Sequence, residues 1–360
     1  MNIIRIQGQN AFLQGVYYEF DRDSTPVGEG GMGVLYLGAR VHVATGVQMP
    51  VVIKAIRDEI STQPHLIARA MREASVQIDN ENLLRMYDFV SNYEASSVTG
   101  VSIIRYYIVM EYLAGISLDK ILEGTVMQNE QVIPLAQEIN LLSTVNRVRL
   151  CVLLMRHLLS GALALHHAGF IHRDLDPSNV MVTQEGKVKI IDFGICKNLN
   201  DASAAQLSAP GAFMGKVHYA APELILGSIY EQNATTDIYA LGIILYQLYT
   251  GELPSAGLTD HEAMQQHLKG RLPDKKIENR EIRRIFKKAT ENNQRLRYQS
   301  AAEFLVDLER VEIPGNKVIF QEGPKEADVI PVPDVWEIPR WAYLVAGFAG
   351  VVVGGLLLLL

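Results

Sequence analysis

Two polar motifs constrain this chain more than anything else in it: His172-Arg173-Asp174-Leu175-Asp176-Pro177-Ser178-Asn179, and then Ile191-Asp192-Phe193-Gly194. Between them lie two β-like runs, Val180-Met181-Val182 and Val188-Lys189-Ile190-Ile191. The residue types are those phosphoryl transfer needs at fixed spacing. Asp174 can orient an attacking hydroxyl and accept its proton, while Asn179 and Asp192 can hold metal ions that draw charge from a triphosphate. An isolated Asp-Phe-Gly carries little weight; both motifs in this order carry a great deal.

Upstream, Gly28, Gly30 and Gly33 fall in the spacing G-x-G-x-x-G within Val27-Gly28-Glu29-Gly30-Gly31-Met32-Gly33-Val34-Leu35. Glycine lets the backbone approach phosphate closely, so that its N–H groups face the oxygens. The same spacing opens dinucleotide-binding folds, but there it runs from a strand into a helix. Here it lies between the β-like runs 25–27 and 34–37, which predicts a lid-like hairpin. The next apolar strand, Val51-Val52-Ile53-Lys54-Ala55-Ile56, contains one lysine. An unpaired charge there is costly, so Lys54 needs phosphate oxygens and a carboxylate. Glu73, in the helical stretch 66–74, is the best partner.

With these residues in hand, the chain resembles a eukaryotic-type (Hanks-type) Ser/Thr protein kinase of the membrane-tethered bacterial branch, over about residues 15–311. The resemblance implies an α+β, two-lobed kinase fold closing over Mg-ATP: a β-rich N-lobe at 15–113 after an extension at 1–14, and a helical C-lobe at 114–311. It implies that Lys54 and Glu73 position phosphates, that Asp192 and Asn179 bind magnesium or manganese, and that Asp174 meets the substrate hydroxyl. Val27, Leu35, Val52 and Met181 would enclose adenine beside the glycine loop. Met110 would be the gatekeeper, and Glu111 and Leu113 would offer hinge backbone groups. Glu223, Arg297 and Asp237 match structural positions: an ion pair behind Ala221-Pro222-Glu223, and an aspartate holding the catalytic-loop backbone. Arg147 to Ala168 reads as a long apolar helix leading into that loop.

Two departures from the family pattern stand out. Asp176 sits where the family has a lysine that touches the transferred phosphate, and losing one such contact costs about 3 kcal/mol, roughly a hundredfold in rate. Lys216 sits where Ser/Thr kinases have a threonine facing that lysine. The expectation is that Lys216 reaches back, pairs with Asp176 and restores the positive charge. The competing class is an ATP-binding pseudokinase acting as a membrane scaffold, for which Asp176 is the argument. A small-molecule kinase is a weaker third reading, because the Ala-Pro-Glu segment belongs to protein kinases. Arg173, before the catalytic aspartate, is a candidate to bind an activation-loop phosphate, with Ser208 the expected phosphosite ahead of Ser203 and Tyr219.

The 360 residues suffice for two lobes, and a net charge of −7 gives no bulk attraction to nucleic acid. Two cysteines, Cys151 and Cys196, suit a reducing compartment, and nine histidines show no metal-ligand spacing. After a proline-rich acidic linker at 312–340, the 20 residues from Trp341 to Leu360 carry no charge. As a helix they extend about 30 Å, enough to cross a bilayer. Trp336, Trp341 and Tyr343 suit the interface, and Gly350 and Gly354 fit small-xxx-small spacing, so a dimer is compatible with the span. The expected arrangement is a single-pass protein of the cytoplasmic membrane, its kinase domain inside, acting on protein hydroxyls in signalling and on itself.

Overall fold

The computed structural model describes residues 2–95, 102–128, 131–140, 144–194, 196–199 and 216–313. Ser203, Ser208 and the 341–360 span lie outside the described residues.

The N-lobe is one antiparallel sheet with a helix beneath it. Its strands are β1 (Ile3–Ile6), β2 (Val16–Asp21), β3 (Gly28–Glu29), β4 (Gly33–His42), β5 (Gln48–Ile56), β6 (Met86–Ala95) and β7 (Ser102–Glu111). They follow the order β1-β2-β4-β5-β7-β6, with β3 hydrogen-bonded to β4. Alternation drives the layering: in β2, Val16, Tyr18 and Phe20 point inward and pack with Val51, Ile53 and Tyr107 on one face. Residues 3–13 belong to this lobe. β1 pairs with β2, and the short helix α1 (Gln9–Leu13) lies against β2 and β6, its Ala11 N–H donating to the buried Asp88 carboxylate at 2.9 Å.

On the other face, after the single turn α2 (Asp58–Ser61), runs α3 (Pro64–Ser75). Pro64 opens it where no intrahelical N–H is required. Ile67, Ala70 and Ala74 recur at helical spacing on its buried side, and Glu73 shares that side.

The C-lobe begins with β8 (Gly115–Ser117), α4 (Leu118–Leu122), the paired pieces β9 (Met127–Gln128) and β10 (Gln131–Val132), and α5 (Pro134–Asn140). α6 (Thr144–His167) follows, then β11 (Phe170–Ile171), β12 (Val180–Thr183), β13 (Val188–Ile190) and β14 (Lys197–Asn198). Next come α7 (Pro222–Ile225), α8 (Ala234–Thr250), α9 (Asp260–Lys269), α10 (Arg280–Ala289) and α11 (Ala301–Glu309). Among the described residues, Arg147–His167 is the one helix long and apolar enough to cross a bilayer. It is instead a core helix, with Leu154, Met155, Leu158, Leu159, Ala162 and Leu165 buried. α8 packs against α6 and is buried almost all round. It opens on an Asn233–Thr236 capping box and closes on Gly251, whose φ of 81° few other residues adopt easily.

Candidate active site

The glycine loop is the β3–β4 hairpin that the sequence predicts, although its paired part is shorter than the run 25–27 suggested: Gly28 opposes Leu35, Glu29 opposes Val34, and Gly30 N–H donates to Gly33 carbonyl at 3.0 Å. Gly33 is required by packing, since a Cβ there would run into the Ala55 carbonyl. Gly30 faces open space, so packing sets no limit on its side chain.

Lys54, on β5 beside Leu35, reaches Glu73 of α3 with Nζ at 2.7 and 2.9 Å from its two carboxylate oxygens. Burial pushes the Glu73 carboxyl up, and the Lys54 ammonium draws it back. One turn before Glu73, Arg69 Nε donates to the Gly194 carbonyl at 2.6 Å. Helix α3 is therefore tied to both the lysine strand and the Asp-Phe-Gly segment.

The catalytic loop is fixed from below by Asp237, in the first turn of α8. Its buried carboxylate accepts the backbone N–H groups of His172 and Arg173, each at 2.8 Å, and contacts His166 Nε2 at 2.8 Å. Burial works against this charge, but those hydrogen bonds and the neighbouring imidazoles outweigh it and hold the Asp237 carboxyl below its ordinary range. His172 in turn contacts the Ile191 carbonyl at 3.1 Å and meets the buried Phe193 ring edge-on. Among the described residues only Arg173 (φ 68°) and Asp192 (φ 60°) combine a side chain with left-handed backbone. Both lie in the two motifs, where such strain is tolerated because the surroundings over-determine it.

Asn179 Nδ2 donates to the Asp174 carbonyl at 2.8 Å and to its carboxylate at 3.2 Å, which fixes the Asp174 side chain. Burial raises the Asp174 carboxyl, and Asp176 and Asp192 push in the same direction. Asp192 Oδ1 accepts the Gly194 N–H at 3.0 Å.

Asp176, in the same catalytic loop, is 1 % exposed. Its Oδ1 accepts Ser178 N–H at 2.6 Å, Ser178 Oγ–H at 2.7 Å and Lys216 Nζ at 2.9 Å; among the described residues its buried Oδ2 has no partner. Lys216 Nζ also donates to Ser178 Oγ at 2.6 Å, and its side chain remains 52 % exposed. The two unusual residues are in contact. Arg173 is 8 % exposed and donates to Gln232 at 3.2 Å. The Tyr219 hydroxyl donates to Gln247 at 2.6 Å, so this phosphosite candidate is occupied by a side-chain partner.

Between the lobes is a cavity of about 480 Å³, within the range that takes a nucleotide-sized ligand. Val27, Gly30, Gly33, Leu35, Val52, Lys54, Met110, Glu111, Leu113 and Met181 line it, as do Glu73, Asn179 and Asp192. Gly28 adjoins it from β3. Leu84 and Met86, together with Ile191 and Phe193 of the Asp-Phe-Gly segment, complete the apolar wall; sequence reasoning missed Leu84 and Met86 because single apolar residues carry no motif. The roles of Arg69 and Ser178 also escaped it, because each depends on a partner that only the fold brings near, although Arg69 lies at the i−4 position from Glu73. The donor set fits magnesium: one carboxylate (Asp192) and one amide oxygen (Asn179) on the wall of a phosphate-sized space, which suits an ion that takes few protein ligands and completes its shell with phosphate and water. Among the described residues no cluster of three or more His, Cys, Asp or Glu forms a self-contained metal cage.

Elsewhere in the C-lobe, the buried Glu223 carboxylate is gripped in fork geometry by Arg297 at 2.8 and 3.0 Å.

Comparison with known proteins gives the same frame. The protein kinase domain family matches residues 22–309. A probable serine/threonine-protein kinase of Clostridium perfringens is 29% identical over 308 residues, covering 84% of this chain and 40% of that protein. The probable kinase PknB of Lactococcus lactis is 30% identical over 318 residues, 85% of this chain and 44% of its own length. PrkC of Bacillus subtilis is 27% identical over 316 residues, 85% and 43%. The chain thus spans less than half the length of these curated relatives. On this match and on the fold, the chain belongs to the protein kinase domain family and is similar to bacterial serine/threonine-protein kinases.

Proposed function

We propose that the chain is an ATP-dependent Ser/Thr protein kinase, working at the cytoplasmic face of the membrane, anchored by residues 341–360, in signalling and with autophosphorylation. One observation carries the reading: Lys54 and Glu73 are paired on the wall of the same cavity that Asn179 and Asp192 line. The apolar residues Val27, Leu35, Val52 and Met181 provide a slot for adenine, and the backbone at Glu111 and Leu113 lies at its rim. Lys54, held by Glu73, binds phosphate oxygens. Asp174, held by Asn179, orients a substrate hydroxyl and accepts its proton as the new oxygen–phosphorus bond forms and the bond to ADP breaks. Magnesium held by Asp192 and Asn179 supplies charge neutralisation at the phosphates. Lys216 supplies the remaining positive charge beside the transferred group, steadied by Asp176 and Ser178.

The test is transfer of labelled phosphate from ATP to a generic protein substrate by the purified full chain in detergent, beside Asp174→Asn. The expected outcome is transfer by the parent and a loss of at least about a hundredfold in the variant. Equal transfer by both excludes Asp174 as the base. No transfer by either, with ATP still raising the melting temperature, replaces the enzyme with a nucleotide-binding scaffold, the reading that Asp176 favours.

A further inference from the structure

A second cavity, of about 360 Å³, lies in the N-lobe beside the first turn of β6. Its wall combines elements remote in sequence: Asn10 and Gln14 around α1, Arg40 near the end of β4, Gln77 after α3, and Arg85 and Tyr87 around the start of β6. Asn10 and Gln14 precede the segment that matches the kinase family, so this wall is partly this chain's own addition. Met86 lines both this cavity and the nucleotide cavity, and places the two on either side of one side chain.

Two guanidinium groups dominate the chemistry. Arg40 and Arg85 both lie over the Tyr87 ring, 5.7 and 5.8 Å from its centroid. Stacking of this kind fixes a guanidinium in place while leaving its N–H donors available in the plane. Among the described residues neither forms an ion pair, whereas Arg5, Arg22, Arg57 and Arg105 of the same lobe each meet a carboxylate. Arg40 donates to Gln14 at 2.7 Å and meets the Met49 sulfur at 4.0 Å, and among the described residues its buried Nε has no hydrogen-bond partner. Asn10 donates to Gln77 at 3.2 Å and to the Tyr87 carbonyl at 3.1 Å, which holds the amide side of the wall in place. Asp79 is the only acid on the lining. Arg40 is half-buried and Arg85 exposed, and with Asp79 the lining carries two positive charges against one negative, a net positive wall on a chain of net charge −7.

We infer that this cavity is a binding site for a small anionic ligand, its phosphate or carboxylate group held by Arg40 and Arg85 and its body lying along Tyr87 and the amides. The volume of about 360 Å³ is enough for a ligand of small-metabolite size. The inference rests on cavity, charge and stacking, and is independent of whether the chain transfers phosphate.

The test is calorimetric titration of the full chain in detergent with inorganic phosphate, glucose 6-phosphate and glutarate, the nucleotide cavity being saturated with a non-hydrolysable ATP analogue and magnesium. Saturable binding of at least one probe is expected, and which one binds separates a phosphate ester from a carboxylate. Arg40→Gln and Arg85→Gln should each weaken it by about tenfold or more, Arg85→Lys should retain part of it, and Asp174→Asn should leave it unchanged. The variants' thermal transitions and analogue affinity, compared with the parent, report their folding. Absence of saturable binding by all three probes, or binding that survives loss of both arginines in a folded chain, overturns the site.

Discussion

The contact between Asp176 and Lys216 is the residue-scale result with the most chemistry in it. A buried carboxylate beside the transferring phosphate is repulsive unless a cation accompanies it, and Lys216 arrives from a different segment of the chain to do so. Lys216→Met should therefore lower kcat by roughly a hundredfold, about 3 kcal/mol, with a smaller change in the KM for ATP. Returning both positions to the family pattern, Asp176→Lys with Lys216→Thr, should recover much of that loss, because it returns the charge to the catalytic loop. Near-parental kcat in Lys216→Met would reduce the pair to a structural contact. This position was legible in sequence because two departures fell at places expected to touch. Ser178 was not, since a serine in a loop has no signature of the hydrogen bond it will make. Arg69 was equally silent: an arginine on a helix normally points to water, and only the fold brings the Gly194 carbonyl to it.

Among the elements, the glycine-loop hairpin and helix α3 followed from pattern, whereas the first 13 residues did not. Ile3–Ile6 is too short and too ordinary to announce its partner, and its place at the sheet edge is decided by the apolar face it extends. The helix α9 hides another feature that no periodicity reveals. His267 is 0 % exposed, its Nδ1 2.7 Å from the Tyr239 hydroxyl, and His218 lies near it. Burial first, and the His218 charge second, depress its pKa to about 4. The imidazole is ordinary in the unfolded chain, near 6.5. Between those values the unfolded state binds more protons, so stability is full above about pH 6.5 and falls as the pH drops toward 4. Up to about 3 kcal/mol is lost from this one group. Denaturant midpoints measured across that window should show a shallower acid decline in His267→Gln than in the parent; parallel declines would assign the acid sensitivity to other groups. The Glu223–Arg297 pair is a second element-scale test. Arg297→Met strands a carboxylate at 4 % exposure and should cost about 3–5 kcal/mol, read as a lower denaturant midpoint.

At the scale of the whole molecule, charge and hydropathy divide the chain into an acidic body and an uncharged final segment. The catalytic frame was legible because phosphoryl transfer fixes residue type and spacing together, and the second cavity was not, because its wall is assembled from segments with no shared motif. Membrane attachment draws on the same contrast. A net charge of −7 gives no bulk attraction to an anionic leaflet, so the attachment proposed here is hydrophobic. The proposed anchor is the 20 uncharged residues 341–360, whose burial in lipid is insensitive to ionic strength. The full chain in cells should then sediment with membranes through a wash of high salt and leave them only in detergent. A chain lacking residues 341–360 should be found in the soluble fraction, with its phosphate transfer to a generic substrate retained, since the described residues that line the nucleotide cavity fall between Val27 and Phe193. Release of the full chain by salt, or sedimentation of the shortened chain, would move the attachment elsewhere in the molecule.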